Sequence, residues 1–483
     1  MMRHTKIGAT IGPSCDDAAT ITALIKAGVN FARLNFSYGT YDEYRHLIGL
    51  IRTIEKQTGE PVAIMQDLQG PKIRLGTLPE AGLTVAAGEE VSLNTALADY
   101  SLAEKKELPL IYRGLEDFVK PGERIMIDDG RLEFKITAIR SALIVAEVIQ
   151  GGIALSHKGL NFPDSTLFAI PALSQKDQAD VKFGVEMGVD IISLSFVKRA
   201  QDILDLRFLI KLHEEERGIK AEQPIRLMAK IERHEAVDNM KEIVEAADAI
   251  MVARGDLGLE MPTAELPLIQ KKIIDAVNTA GKPVIVATQL LDSMQHSRRP
   301  TRAEATDVAN AVIDHADGLL LTNETATGEY PVLAVETMNE IIVATERSSY
   351  DDTNLPATHR GGTSVEKAVS EVSRMLAEEV KARLILAASF SGETGRMISQ
   401  VRPNLPILVA TADERVQRQL NISWGVQAFL LPACRSIEEL VERSVNYIKQ
   451  HKLAKLGDKM IIVAGEPVGQ SGNVNLVEVR EIK

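Results

Sequence analysis

The chain has 483 residues, with 55 Lys and Arg against 67 Asp and Glu and a formal net charge of −12. That length exceeds one ordinary domain, and that charge argues against a general nucleic-acid binder. The only cysteines, Cys15 and Cys434, supply neither a disulfide framework nor a zinc site, and with aromatics at 4% the cores must be mainly aliphatic.

Residues 1–6 lack a signal peptide's apolar core, and no apolar run is long enough to span a membrane; a cytoplasmic protein is expected. A β-like run at 6–11 is followed by a helix-like segment at 16–27 that ends at Gly28. A second strand at 29–34 leads into Asn35-Phe36-Ser37-Tyr38-Gly39 and an amphipathic helix at 41–57. A third strand at 62–67 ends at Asp67. This βαβαβ order predicts a parallel sheet. From 71 to 163 the texture changes to short alternating strands punctuated by glycine turns, which predicts a small antiparallel β domain inserted after the third strand.

Alternation then resumes. Helices at 176–187, 200–213, 235–246, 266–279 and 303–314 precede strands at 191–196, 225–231, 249–253, 284–288 and 318–321, and a last helix covers 333–345. Three strands before the insertion and five after it fit a (β/α)8 barrel. The polar stretch 348–362 reads as a linker to a third unit of α/β type, with strands at 384–388, 407–410, 427–431 and 460–464. The predicted domains are therefore 1–70 with 164–347 as the barrel, 71–163 as an inserted small β-barrel that serves as a lid, and 348–483 as a carboxyl-terminal α/β domain.

The strand ends carry the chemistry. Lys230 and Glu232 close one apolar run and, being two apart on a strand, project to the same side. Asp256 enters on a turn after Gly255, following the next run. A carboxylate pair suits Mg²⁺, a hard cation with oxygen ligands, and an ammonium beside it suits a developing oxyanion. Arg33, Asn35 and Ser37 follow strand two, Asp67 strand three, Ser195 and Lys198 strand four, Thr288 and Gln289 strand seven, and Asn323 and Glu324 strand eight. All converge on the carboxyl-end face, where barrel enzymes keep their active sites.

With these residues in view the sequence resembles pyruvate kinase over nearly its whole length. The likeness rests on Arg33-Leu-Asn-Phe-Ser, Asp67-Leu-Gln-Gly-Pro, Lys158-Gly-Leu-Asn-Phe-Pro, Met228-Ala-Lys-Ile-Glu, Met251-Val-Ala-Arg-Gly-Asp-Leu-Gly, Ala287-Thr-Gln and Asn323-Glu-Thr-Ala, in that order. The resemblance implies phosphoryl transfer from phosphoenolpyruvate to ADP, giving pyruvate and ATP. It implies Glu232 and Asp256 as ligands of Mg²⁺, or Mn²⁺ in its place. It implies Lys230 beside the enolate, Gly255, Asp256 and Thr288 around the three-carbon acid, and Arg33 on the phosphate. Asn35, Tyr38, Arg74 and Lys158 match nucleotide-binding positions, and a homotetramer is implied as well.

One departure is chemical. Most members of this family known to us have glutamate where this chain has Lys72, and they bind K⁺ nearby. The stretch here resembles the branch in which a lysine ammonium replaces that ion, so K⁺ is not expected to be required. Asn35, Ser37, Asp67 and Leu68 are the K⁺-site equivalents; the three polar ones are expected to hold Lys72 and Arg33 in place. Tyr38 stands where a histidine is frequent. In the last unit, Ser389, Ser391, Gly392, Thr394 and Arg396 lie between a strand and a helix, and a glycine-rich stretch at 465–473 could close over them. Small residues at a helix start can cradle phosphate, and the resemblance implies a sugar-phosphate or nucleotide effector there. His157, His234 and His315 lack metal-ligand spacing and are read as surface or satisfied side chains. Two other readings use the same scaffold: a barrel lyase that makes enolpyruvate, for which ADP would be idle, and a non-catalytic metabolite sensor.

Overall fold

The computed structural model describes residues 3–103, 106–167, 170–219, 223–351, 365–465 and 474–483. Eight parallel strands close into a barrel: Lys6–Thr10, Val29–Asn35, Ala63–Asp67, Ile191–Leu194, Arg226–Ile231, Ala249–Ala253, Val284–Ala287 and Gly318–Leu321. Strands such as Ala249–Ala253 are buried along their full length, which is why they read as unbroken apolar runs. Caps set the helix ends between them. Thr40 and Glu43 form a reciprocal capping box at the start of Tyr41–Thr58, and Gly59 ends that helix at φ 75°.

Inside the barrel, Phe31, Met65, Met228, Met251, Ile285 and Leu320 pack together, all essentially inaccessible. Phe31 needs room across the barrel; a Cβ on Gly8 would lie 2.2 Å from its ring, so glycine is required there. Ile422, from the carboxyl-terminal unit, belongs to the same cluster and plugs the barrel at the amino ends of its strands. Burying such a side chain fully is worth about 1.5–3 kcal/mol.

Two aspartates complete that docking. Asp190 accepts the Ile64 N–H at 2.8 Å and pairs with Arg418 at 2.8 Å; Asp317 accepts the Val284 N–H at 2.9 Å and the Trp424 N–H at 3.1 Å and pairs with Arg402 at 3.2 Å. Each thus serves a barrel strand with one oxygen and the last unit with the other.

The inserted segment folds as a six-stranded sheet with a two-stranded ribbon around its own core, including Ile125, Phe134, Ile136 and Ile144. One pair, Glu90–Asn94 with Glu107–Pro109, runs parallel, where antiparallel pairing was expected. The carboxyl-terminal unit is a five-stranded sheet. Four strands are parallel; a fifth, Leu476–Glu481, runs antiparallel along Lys459–Ala464. That edge strand escaped the sequence reading because its alternation is half polar and its burial only partial. The helix expected at 235–246 is two, His234–Asp238 and Met240–Ala246, because Asn239 leaves helical geometry and donates its side chain to the Lys198 carbonyl. Residues 352–364, most of the expected linker, lie outside the described residues.

Candidate active site

The barrel's carboxyl-end face and the first residues of the lid bound a cleft of about 140 Å³. Arg33, Asn35, Ser37 and Tyr38 reach it from the second strand, and Asp67, Leu68, Lys72 and Arg74 from the third and the strap after it. Ser195, Lys230, Glu232 and Asp256 line its other wall. A larger hollow of about 980 Å³ lies at the opposite face, near Met240, Thr279 and His315. Two of the charged groups that line it, Lys271 and Asp314, pair with each other.

Lys230 is the centre of the cleft's charge. Its ammonium donates to Ser195 Oγ at 2.7 Å and lies 2.8 Å from Glu232 Oε1 and 3.4 Å from Asp67. Burial alone would lower its pKa; Asp67 and Glu232 outweigh that and hold it above the ordinary value. Asp67, fully buried, also takes Arg33 at 2.6 Å and the Ser193 hydroxyl at 2.7 Å. Burial pushes its carboxyl up, but Lys230 and Arg33 prevail and keep it below the usual carboxylate range. Glu232 is pushed up by burial and by Asp256, against Lys230. Its other oxygen accepts the Phe196 N–H at 2.7 Å. Phe196 sits at φ 54°, which turns that N–H toward the carboxylate.

Asp256 lies in the first turn of a short helix, Arg254–Glu260, and not on an open turn as its neighbour Gly255 suggested. The helix starts there because Thr288 Oγ accepts the Gly255 N–H at 2.7 Å. Thr288 and Gln289 both have positive φ, 70° and 54°, and Arg254 holds the pair through their carbonyls while it pairs with Asp307 at 2.6 Å. A β-branched residue in that region is strained by about 1–3 kcal/mol. The strain places the Thr288 hydroxyl beside Gly255.

Lys72 meets Asp256 at 3.4 Å, not Asp67, so the expected set of partners is corrected here: Asp67 serves Arg33 and Lys230. Asn35 Oδ1 accepts the Ser37 N–H, Leu68 is buried in the barrel's outer core, and Tyr38 is exposed at the rim. Lys158 stands in the lid paired with Asp128 at 2.7 Å and does not line the cleft. Arg74 lies beside it across a strand bridge and donates to the His157 carbonyl. Two residues placed at the site from sequence serve the backbone instead. Lys198 donates to the Ile170 carbonyl, and Glu324 accepts the Leu291 and Thr322 N–H groups. Ser193, Phe196 and Arg254 were not singled out in the sequence reading; a serine two residues from Ser195 on one strand was the available signal for Ser193.

In the last unit, Ser389 Oγ accepts the Thr394 N–H at 3.3 Å, and Gly392, at φ 79°, opens the helix Glu393–Gln400. Arg396 is buried against Glu393 and the Ser391 carbonyl, which Arg226 of the barrel also approaches at 3.4 Å. The glycine-rich partner at 466–473 lies outside the described residues.

The oxygen donors of Glu232 and Asp256, aimed at one cleft with cations around them, suit a hard divalent cation and an anionic substrate. Such a barrel under a β-rich lid defines an enzyme that works on small anions at its strand ends. The pyruvate kinase barrel-domain model matches residues 2–335, and the pyruvate kinase alpha/beta-domain model matches 367–480. The chain is 39% identical to the pyruvate kinase of Geobacillus stearothermophilus over 100% of its own length and 81% of that relative's. It is 39% identical to that of Mycobacterium tuberculosis over 100% and 99%. A crystal structure of a pyruvate kinase from Cryptosporidium parvum superposes with a TM-score of 0.90 at 34% identity, covering 100% of this chain and 96% of that one. The chain belongs to the pyruvate kinase family.

Proposed function

We propose that the chain transfers the phosphoryl group of phosphoenolpyruvate to ADP, with Arg33 on the phosphate, Lys230 on the enolate oxygen and Glu232 with Asp256 holding Mg²⁺ or Mn²⁺. The observation that carries this reading is the Lys230 ammonium fixed between Asp67, Ser195 and Glu232 at the strand ends. A bound divalent cation supplies charge neutralisation on the transferred group. The chain's own residues supply position: Arg33 is oriented by Asp67, and Gly255 with Thr288 frames the carboxylate end of the substrate. Asn35, Tyr38, Arg74 and Lys158 are assigned to ADP; Arg74 already lines the cleft and Lys158 arrives with the lid as it closes, a movement that expels water. No helix among the described residues is long and apolar enough to cross a membrane. A cytoplasmic homotetramer, with domain limits at 70/71, 163/164 and 347/348, completes the proposal.

Lys72 supplies a fixed positive charge in the cleft, so K⁺ is not required. The test is the initial rate of pyruvate formation from phosphoenolpyruvate, ADP and Mg²⁺ in K⁺-free buffer, then with K⁺ at equal ionic strength. Full activity without K⁺ is expected. A rise of more than about tenfold on adding K⁺, about 1.4 kcal/mol in the barrier, removes the role of Lys72 but keeps the kinase. No ATP under any condition removes the kinase.

The loop Ser389, Ser391, Gly392, Thr394 and Arg396 is assigned to a phosphorylated effector, a sugar phosphate or nucleotide. Supporting it are the helix start at Gly392 and the tie from Ser391 to Arg226 at the base of a barrel strand. Ser391→Asp places a negative charge in that loop. It is expected to abolish activation by such effectors while basal turnover persists; undiminished activation rejects the site.

A further inference from the structure

The lid is joined to the barrel by two straps of very different construction. The outgoing one is held mainly through its backbone: Leu68 N–H to the Ser193 carbonyl at 3.0 Å, the Ser195 hydroxyl to the Leu68 carbonyl at 2.7 Å, Gly70 N–H to Asp177 at 3.1 Å, and beyond them the half-buried Lys72–Asp256 pair. The return one, described over residues 161–167 and 170–172, is held by buried charged groups. Asn161 donates to Glu260 at 3.4 Å, Arg233 to the Ser165 carbonyl at 3.3 Å, and the Leu167 N–H to Glu235 at 3.0 Å. Arg233 binds Glu235 at 2.8 Å and Glu260 at 3.4 Å, and His234 lies 3.3 Å from the other oxygen of Glu260.

On its far side the same strap is bound to the lid. Arg124 makes two bonds to Asp164 at 2.9 and 2.8 Å, Ser165 donates to Glu123, and Leu167 and Ile170 pack into the lid's core. The strap is therefore tied to the lid on one side and to the barrel on the other. The barrel anchors extend from the two segments that form the cleft wall. Arg233 follows Glu232 directly, and Glu260 lies one turn beyond Asp256 on the same short helix. His234, Glu235 and Glu260 lie close enough to resemble a cation site, but Arg233 already supplies the cation.

We propose that Arg233, Glu235 and Glu260 are positioning residues for the reaction: they bolt the return strap to the segments carrying Glu232 and Asp256, and so set how tightly the closed lid excludes water. This rests on the phosphoryl-transfer reading. With the bolt weakened, water competes with ADP for the phosphoryl group. The P–O bond of phosphoenolpyruvate then breaks toward water, giving inorganic phosphate, while the enolate takes a proton at carbon to give pyruvate.

The experiment measures pyruvate and ATP separately in the full chain with phosphoenolpyruvate, ADP and Mg²⁺. The unaltered chain should give a ratio of one. Glu260→Gln and Asn161→Ala should each raise pyruvate over ATP by about twofold or more, with KM for ADP rising more than KM for phosphoenolpyruvate. A ratio that stays at one in the folded variants overturns the proposal, whatever happens to their melting temperatures, because a purely structural cluster would lower stability without uncoupling. Should Glu260→Gln not fold, Asn161→Ala, at the strap's lid end, decides. An unaltered chain that forms no ATP overturns the phosphoryl-transfer reading and the proposal with it.

Discussion

Lys230→Met is expected to lower kcat by about 10³-fold or more, at least about 4 kcal/mol of transition-state stabilisation. The magnitude follows from where the charge sits. The ammonium is buried and held by Asp67, Glu232 and Ser195, so it needs no reorganisation when an enolate forms beside it. Water cannot replace it there at comparable strength. The substitution also leaves buried carboxylates with fewer partners, which costs stability. Asp67 retains Arg33 and Glu232 retains the Phe196 N–H, so the variant is expected to fold. Steady-state kinetics at saturating substrates, with circular dichroism as the control for folding, measures the effect. A folded variant within tenfold of the parent would mean that Lys230 is only a structural counter-ion to Asp67.

Glu232→Gln should abolish tight divalent-cation binding and reduce turnover by about 10³-fold, since a bound metal contributes several kcal/mol of charge stabilisation in such transfers. The amide matches the carboxylate in volume but loses its charge, and one of its two positions becomes a donor. That donor would face either the Lys230 ammonium or the Phe196 N–H, both donors themselves. Titration with Mn²⁺ followed by electron paramagnetic resonance reads binding without any turnover. Mn²⁺ affinity equal to the parent's would exclude Glu232 as a ligand and return the Lys230–Glu232 pair to a structural role.

The barrel and much of the site could be read along the chain because their signals are local. Apolar runs such as 249–253 and capped amphipathic segments such as Tyr41–Thr58 repeat at a spacing that only β/α units satisfy. The two-residue spacing of Lys230 and Glu232 predicted one direction, and the ammonium meets the carboxylate. Where two functions share a residue type, local signals failed. Lys198 has the position of a site lysine, yet it spends its charge on the Ile170 carbonyl; Glu324 caps backbone N–H groups. The helix that carries Asp256 was missed because Gly255 reads as a turn, and the Thr288 hydroxyl that starts that helix is remote in sequence.

By itself the sequence determined the alternation of the eight barrel strands with helices and the residue types that follow those strands. Periodicity and turn chemistry act within a few residues, so those features needed no partner from elsewhere. The tertiary structure alone decided which partner each charge takes: Asp67 with Arg33 and Lys230, Lys72 with Asp256, Arg233 with Glu235 and Glu260. It also decided that Ile422 closes the base of the barrel and that Thr288 adopts a left-handed backbone. The physical reason is barrel closure. Strand register brings distant residues within hydrogen-bonding reach, 2.6 Å for Arg33 and Asp67 and 3.4 Å for Lys72 and Asp256, and at that range burial and pairing choose among several chemically equivalent partners that no local pattern distinguishes.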